Sequence, residues 1–90
     1  MKFEWDPAKN EANRIKHGID FIEAKELWLD EDRIEIYLPY PLESRRIVIA
    51  KLSGKHWTAV YTIRGENVRI ISVRRSREKE AVLYDEEKNG

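Results

Sequence analysis

The apolar period of this chain changes once, and that change limits what it can fold into. Before residue 30, apolar residues recur at helical spacing: Ala8, Ala12 and Ile15, then Phe21, Ala24, Leu27 and Trp28. From Ile34 onward they alternate with polar residues at a period of two. The acidic run Asp30-Glu31-Asp32 separates the two regimes. Helices first and consecutive strands afterwards point to an α+β layout rather than alternating βαβ units.

Local signals sharpen the boundaries. Lys2 to Trp5 alternates polar and aromatic residues and is expected to be a short strand. Asp6-Pro7 has the form of a helix start, with Asp as N-cap and Pro at the first helical position. Gly18 ends that helix. Asp20 with Glu23 resembles a capping box for a second helix. Strands are expected from Ile34 to Leu38, stopped by Pro39 and Pro41, then over 45–51, 57–63 and 68–74. Short turns at 53–55 and 65–67 make the last three an antiparallel meander. A final helix is expected over 78–87. The order is β-αα-ββββ-α in a single domain, with the helices on one face of a mostly antiparallel sheet and the other face free. Within the last strand, simple alternation puts Ile71 and Val73 on one face and Ile70, Ser72 and Arg74 on the other.

Composition excludes several classes. Ninety residues suit one domain with one core. There is no cysteine, hence no disulfide framework and no thiolate metal site. Two histidines with no HExxH-type spacing argue against a metal enzyme, and no glycine-rich phosphate loop occurs. No cofactor is expected. No apolar run is long enough to span a membrane and the N-terminus is not a signal peptide, so cytoplasm is the expected location.

The formal charge is zero, but the charges are sorted. Residues 1–43 sum to −5, 44–79 to +8, and 80–90 to −3. The basic middle is densest at Arg69-Ile70-Ile71-Ser72-Val73-Arg74-Arg75-Ser76-Arg77. Crowded guanidiniums repel one another and are tolerated where an anion will sit; their planar fork suits phosphate. RNA or another nucleic acid is therefore the first partner to consider. The plain alternative for any one arginine is a surface ion pair with a helix carboxylate. Arg64 and Arg74 fall at opposite ends of their hairpin and need not be close. The phosphate reading does require the late arginines to gather in space, with Lys16-His17 beside them.

Three other candidates stand out. His17 follows Lys16 in the last turn of the first helix, where it can transfer a proton, contact phosphate or simply complement the helix dipole. Glu43 stands before Arg45-Arg46 and can orient a cation, accept a proton or form a salt bridge. Glu80 and Tyr84 are spaced i, i+4 on the last helix; Glu80 can reach back to hold an arginine of the preceding strand, and Tyr84 suits packing. His56 is expected to be exposed in a turn and inert.

Phe3-Glu4-Trp5-Asp6, Lys9, Asn13, Lys16-His17-Gly18-Ile19, Phe21 and Ala24 resemble the opening of the BrnT-type toxins. The resemblance continues through Glu43-Ser44-Arg45, Val60-Tyr61-Thr62, Arg64, the string from Arg69 to Arg75, Glu80 and Tyr84. Members often carry Glu-Glu-Arg in place of Glu43-Ser44-Arg45. The resemblance implies a RelE-like fold and the toxin of a type II toxin–antitoxin system. Such a toxin is a metal-independent ribonuclease that arrests translation. Its DNA-binding antitoxin silences it, and the pair binds its own promoter. On this reading Arg64 and Arg74 stabilise phosphoryl charge, with Lys16 and Arg75 in support. His17 or Glu43 moves the proton, and Arg45, Arg69, Arg75 and Arg77 hold RNA. Glu80 and Tyr84 support them. Two alternatives share the same residues. One is a non-catalytic nucleic-acid-binding module using Trp57 and Tyr61 for stacking. The other is a partner-binding subunit whose basic face docks an acidic segment.

Overall fold

The computed structural model describes residues 1–39 and 44–89. Its elements are β1 (Lys2–Glu4), α1 (Pro7–His17), α2 (Phe21–Ala24), a 3₁₀ turn (Lys25–Leu29), β2 (Ile34–Tyr37), β3 (Arg45–Leu52), β4 (Lys55–Arg64), β5 (Asn67–Arg75) and α3 (Glu78–Asn89). The strands form one sheet in the order β1-β5-β4-β3-β2. The α+β class and the element order match the expectation. All pairings are antiparallel except β1 with β5, which run parallel.

Capping explains the helices. Asp6 accepts a hydrogen bond from the Ala8 N–H at 2.8 Å, and Pro7 follows at the position where a missing N–H costs nothing. Gly18 closes α1 at φ +73°, a backbone region that a Cβ disfavours. Asp20 accepts from the Glu23 N–H at 2.8 Å and starts α2. The stripe that promised one longer helix is divided: four α-helical residues tighten into a 3₁₀ turn.

Two cores form on opposite faces of the sheet. On one face, Ile19, Phe21, Ala24, Leu27 and Trp28 from the N-terminal helical layer meet Val48, Ala50, Ala59, Tyr61, Val68, Ile70 and Val73. On the other, Tyr84 of α3 packs with Ile47 and Ile49, flanked by Ile34, Ile36, Val60 and Leu83. The strand alternation sends even and odd residues of β3 to different faces, so each core draws on its own set. This corrects the expectation that all helices share one face. α1, α2 and the 3₁₀ turn do, but α3 crosses to the other side and covers part of the face expected to be free.

A second correction concerns β5. The register steps from Val60↔Ser72 to Tyr61↔Ile70, which leaves Ile71 as an extra residue on β5. The bulge resets the alternation. Ile70 and Val73 both enter the first core, at 1% and 0% exposure, and Ile71 does not. Beyond the bulge Ser72 and Arg74 lie opposite Val60 and Thr58, on the α3 face.

Candidate functional site: the Arg74 end of the sheet

β5 carries its arginines to two different ends of the sheet. Arg74 pairs in register with Thr58 and Arg75 with Trp57, whereas Arg69 pairs with Thr62 and Asn67 with Arg64. From Thr58 to Arg64 the strand advances roughly 20 Å at ~3.3 Å per residue. The expected gathering of all these guanidiniums into one cradle is therefore corrected: they form two groups.

At the far end, Arg45 and Arg69 flank Thr62 from neighbouring strands, and Arg64 stands at the hairpin turn. Arg69 donates from Nη1 to Glu4 at 2.8 Å, and Asn67 donates to the same carboxylate at 3.1 Å. The Asn67 amide first, and Arg69 with it, hold the Glu4 carboxyl below its ordinary range. Arg64 makes no ion pair among the described residues.

At the near end, Glu80 organises the site. It sits at the third position of α3 and accepts from the Arg77 N–H at 2.8 Å, half of a capping box. The same carboxylate grips Arg74 with both oxygens, Nη1 at 2.7 Å and Nη2 at 2.9 Å. Thr58 donates to it at 3.0 Å, and the Thr58 and Ser76 hydroxyls are 2.8 Å apart. The Arg74 guanidinium is the main reason the Glu80 carboxyl falls to about 2; burial opposes it, and the Arg77 N–H and Thr58 hydroxyl add to it. Glu80 raises the Arg74 guanidinium in return. The planar guanidinium is thus fixed in orientation, with N–H groups left over for another acceptor.

Arg75 lies over the Trp57 ring, 5.5 Å from its centroid, and donates to the His56 carbonyl at 3.2 Å. Arg77 is exposed at the α3 cap. Neither makes an ion pair among the described residues.

α1 brings Lys16 and His17 to this same end. Asn13, 6% exposed, accepts from the Val73 N–H at 2.9 Å and donates to the Ile19 carbonyl at 2.9 Å. That clamp lays α1 along the β5 edge just beyond the bulge. Lys16 and His17 then line a cleft of about 210 Å³ with Lys9, Ile71 and Ser72. Ser72 is two residues before Arg74 on the same strand and face.

Other sequence candidates resolve differently. Glu43 lies outside the described residues. Tyr84 is buried and donates to Asp30 at 2.7 Å, so it supports packing. Burial first, and that carboxylate second, raise its phenol. Tyr61 is 1% exposed and unavailable for stacking, against the expectation that it shares a binding surface with Trp57. His56 is not a free turn residue: its Nε2 is 2.9 Å from Asp85, and its ring meets Tyr84 edge-on. That contact lowers the Asp85 carboxyl. Sequence reasoning missed Thr58, Ser76 and Ser72 as members of this end. The signal that could have placed the Thr58 and Ser76 hydroxyls is the expected reach of Glu80 to a β5 arginine, since Thr58 lies opposite Arg74 and its hydroxyl meets that of Ser76.

No group of His, Cys, Asp or Glu among the described residues is arranged to hold a metal ion. Among them no helix is long and apolar enough to cross a membrane.

Fold and site define a small α+β domain with an oriented guanidinium, further cations and a cleft at one sheet edge. The chain belongs to the family described as ribonuclease toxin, BrnT, of type II toxin–antitoxin systems, whose model matches residues 5–80. No curated protein matches it.

Proposed function

We propose that this chain is the toxin of a type II pair and an endoribonuclease that cuts RNA at the Arg74 end of the sheet. The family match carries the reading, because it spans every residue of that end from Lys9 to Glu80. The oriented Arg74 fork supports it.

The chemistry follows from RNA itself. The 2′-oxygen bonds to the adjacent phosphorus while the bond from phosphorus to the 5′-oxygen breaks, leaving a 2′,3′-cyclic phosphate and a 5′-hydroxyl. One group removes the 2′ proton and another returns a proton to the 5′-oxygen. Negative charge grows on the phosphoryl oxygens. Arg74 meets that charge, because Glu80 has already oriented it and little reorganisation is needed. Lys16 and Arg75 add positive charge. His17, in the cleft beside Ser72, moves the proton; Glu43 is the other candidate for that step. Arg64, Arg69 and Arg45 are too far along the sheet to share the reacting phosphate with Arg74, and they hold other phosphates of the same strand. Arg77 does so at the near end. No metal or cofactor enters.

An antitoxin occupies the chain until it is removed, and the pair binds its own promoter DNA. The free toxin acts on RNA in the cytoplasm and arrests translation. Induction of the chain alone should arrest bacterial growth. Arg74→Ala and Arg64→Ala should each relieve the arrest while circular dichroism stays unchanged. Full toxicity of Arg74→Ala contradicts the site.

A further inference from the structure

The helical layer that covers the first core shows an unusual outer surface. Ile22 and Leu29 are 59% and 78% exposed. Between residues 20 and 32, six carboxylates stand against the single ammonium of Lys25. Two of the six are used within the fold: Asp20 caps α2, and Asp30 binds the Lys51 N–H and the Tyr84 hydroxyl. Glu23, Glu26, Glu31 and Asp32 face solvent. Glu23, Glu26 and Glu31 make no ion pair among the described residues, and Asp32 has only a 3.8 Å contact with Lys88. Like charges set around exposed aliphatic side chains are unfavourable in isolation.

RNA does not fit this surface, because its phosphates would be repelled. A cationic segment with apolar side chains does. We propose that residues 22–32 anchor a basic, amphipathic segment of the antitoxin, an inference that rests on the toxin reading above. The surface also leads to the site. Glu23 lines a depression of about 150 Å³ with Gly18, Leu52, Lys55 and Trp57. Trp57 is the ring on which Arg75 lies. A segment held at Ile22 and Glu23 continues through this depression to the cationic edge, where it blocks the approach of RNA.

The test uses the antitoxin encoded beside the toxin gene. It is titrated by calorimetry with the wild-type chain, with Glu23→Lys/Glu26→Lys, and with Ile22→Ser/Leu29→Ser. Charge reversal is expected to weaken binding roughly tenfold to hundredfold, because like charges would then face each other. The serine variant is expected to weaken it several-fold. Both free variants should melt near the wild-type temperature and cut RNA at the wild-type rate, since none of these residues touches the site. Equal antitoxin affinity for the wild type and the charge-reversed chain overturns the inference. So does a wild-type chain that dimerises through this surface without antitoxin, which would make a second copy the occupant. A wild-type chain that cuts no RNA, yet binds the antitoxin in a reversal-sensitive way, contradicts the ribonuclease reading and leaves the docking surface standing.

Discussion

Replacing Glu80 with Gln tests whether one carboxylate organises the Arg74 end. The change keeps the shape and removes the charge. In the wild type that charge receives both Arg74 nitrogens, the Thr58 hydroxyl and the Arg77 N–H. The folded-state value falls from 4.5 to about 2. At about 1.4 kcal/mol per pH unit that is roughly 3 kcal/mol of stability at neutral pH. The Glu80 side chain keeps 16% of its exposure, and allowing for solvent screening leaves about 2 kcal/mol. For a domain of this size, about 2 kcal/mol lowers the melting temperature by roughly 10 °C. The sign of the pH dependence follows from the lowered value. This stability is complete above pH 4.5 and is lost as pH falls toward about 2. Urea unfolding of wild type and Glu80→Gln, followed by circular dichroism from pH 7 downward, should show a gap at pH 7 that closes at the acid end. A gap under about 0.5 kcal/mol at pH 7, or one that persists unchanged into acid, refutes the reasoning.

Asn13→Ala removes both hydrogen bonds that clamp α1 to β5 and leaves the Val73 N–H without its acceptor; a loss of about 2–4 kcal/mol in urea unfolding is expected. Tyr84→Phe deletes the hydroxyl bonded to Asp30 and should cost about 1–2 kcal/mol by the same measurement. Asp30 is lowered overall: burial pushes it up, and the bonds from the Lys51 N–H, Tyr84 and the Asp32 N–H outweigh that. Tyr84→Phe should accordingly move the Asp30 carboxyl upward, which an NMR titration reads directly. Gly18→Ala places a Cβ at φ +73° and should lower stability by about 1 kcal/mol without changing RNA cleavage.

Much of the fold was legible because its signals are local. Asp6-Pro7, Gly18 and Asp20 act within one turn of chain, and the period of two marks β2 to β5 without reference to anything distant. What escaped depends on tertiary contacts. The partner of a three-residue strand such as β1 is set by what lies beside it, not by its own residues. The bulge at Ile71 inverts the faces of Ser72 and Val73 relative to simple alternation from Ile70, and nothing in Arg69-Ile70-Ile71-Ser72 announces the extra residue. Ala81, Val82, Leu83 and Tyr84 are consecutive and do not select a face for α3; the contacts of Tyr84 and Glu80 do. The reach of Glu80 to Arg74 was legible, because the two are six residues apart across a tight connection. Arg64 and Arg74 were legible as opposite ends of one hairpin, but the late arginines were still expected to gather, and only the strand register divides them between two ends of the sheet. His56 looked inert because Asp85, its partner, is 29 residues away.

The proposed reaction is cleavage of RNA through the 2′-hydroxyl at the Arg74 end. A DNA strand containing one ribonucleotide, incubated with the purified chain free of antitoxin and with a chelator present, tests it most directly. A single cut on the 3′ side of that ribonucleotide, a 2′,3′-cyclic phosphate on one product, and no cutting by Arg74→Ala are expected. Cutting of the same strand made entirely of DNA, or no cutting of any RNA offered, contradicts it.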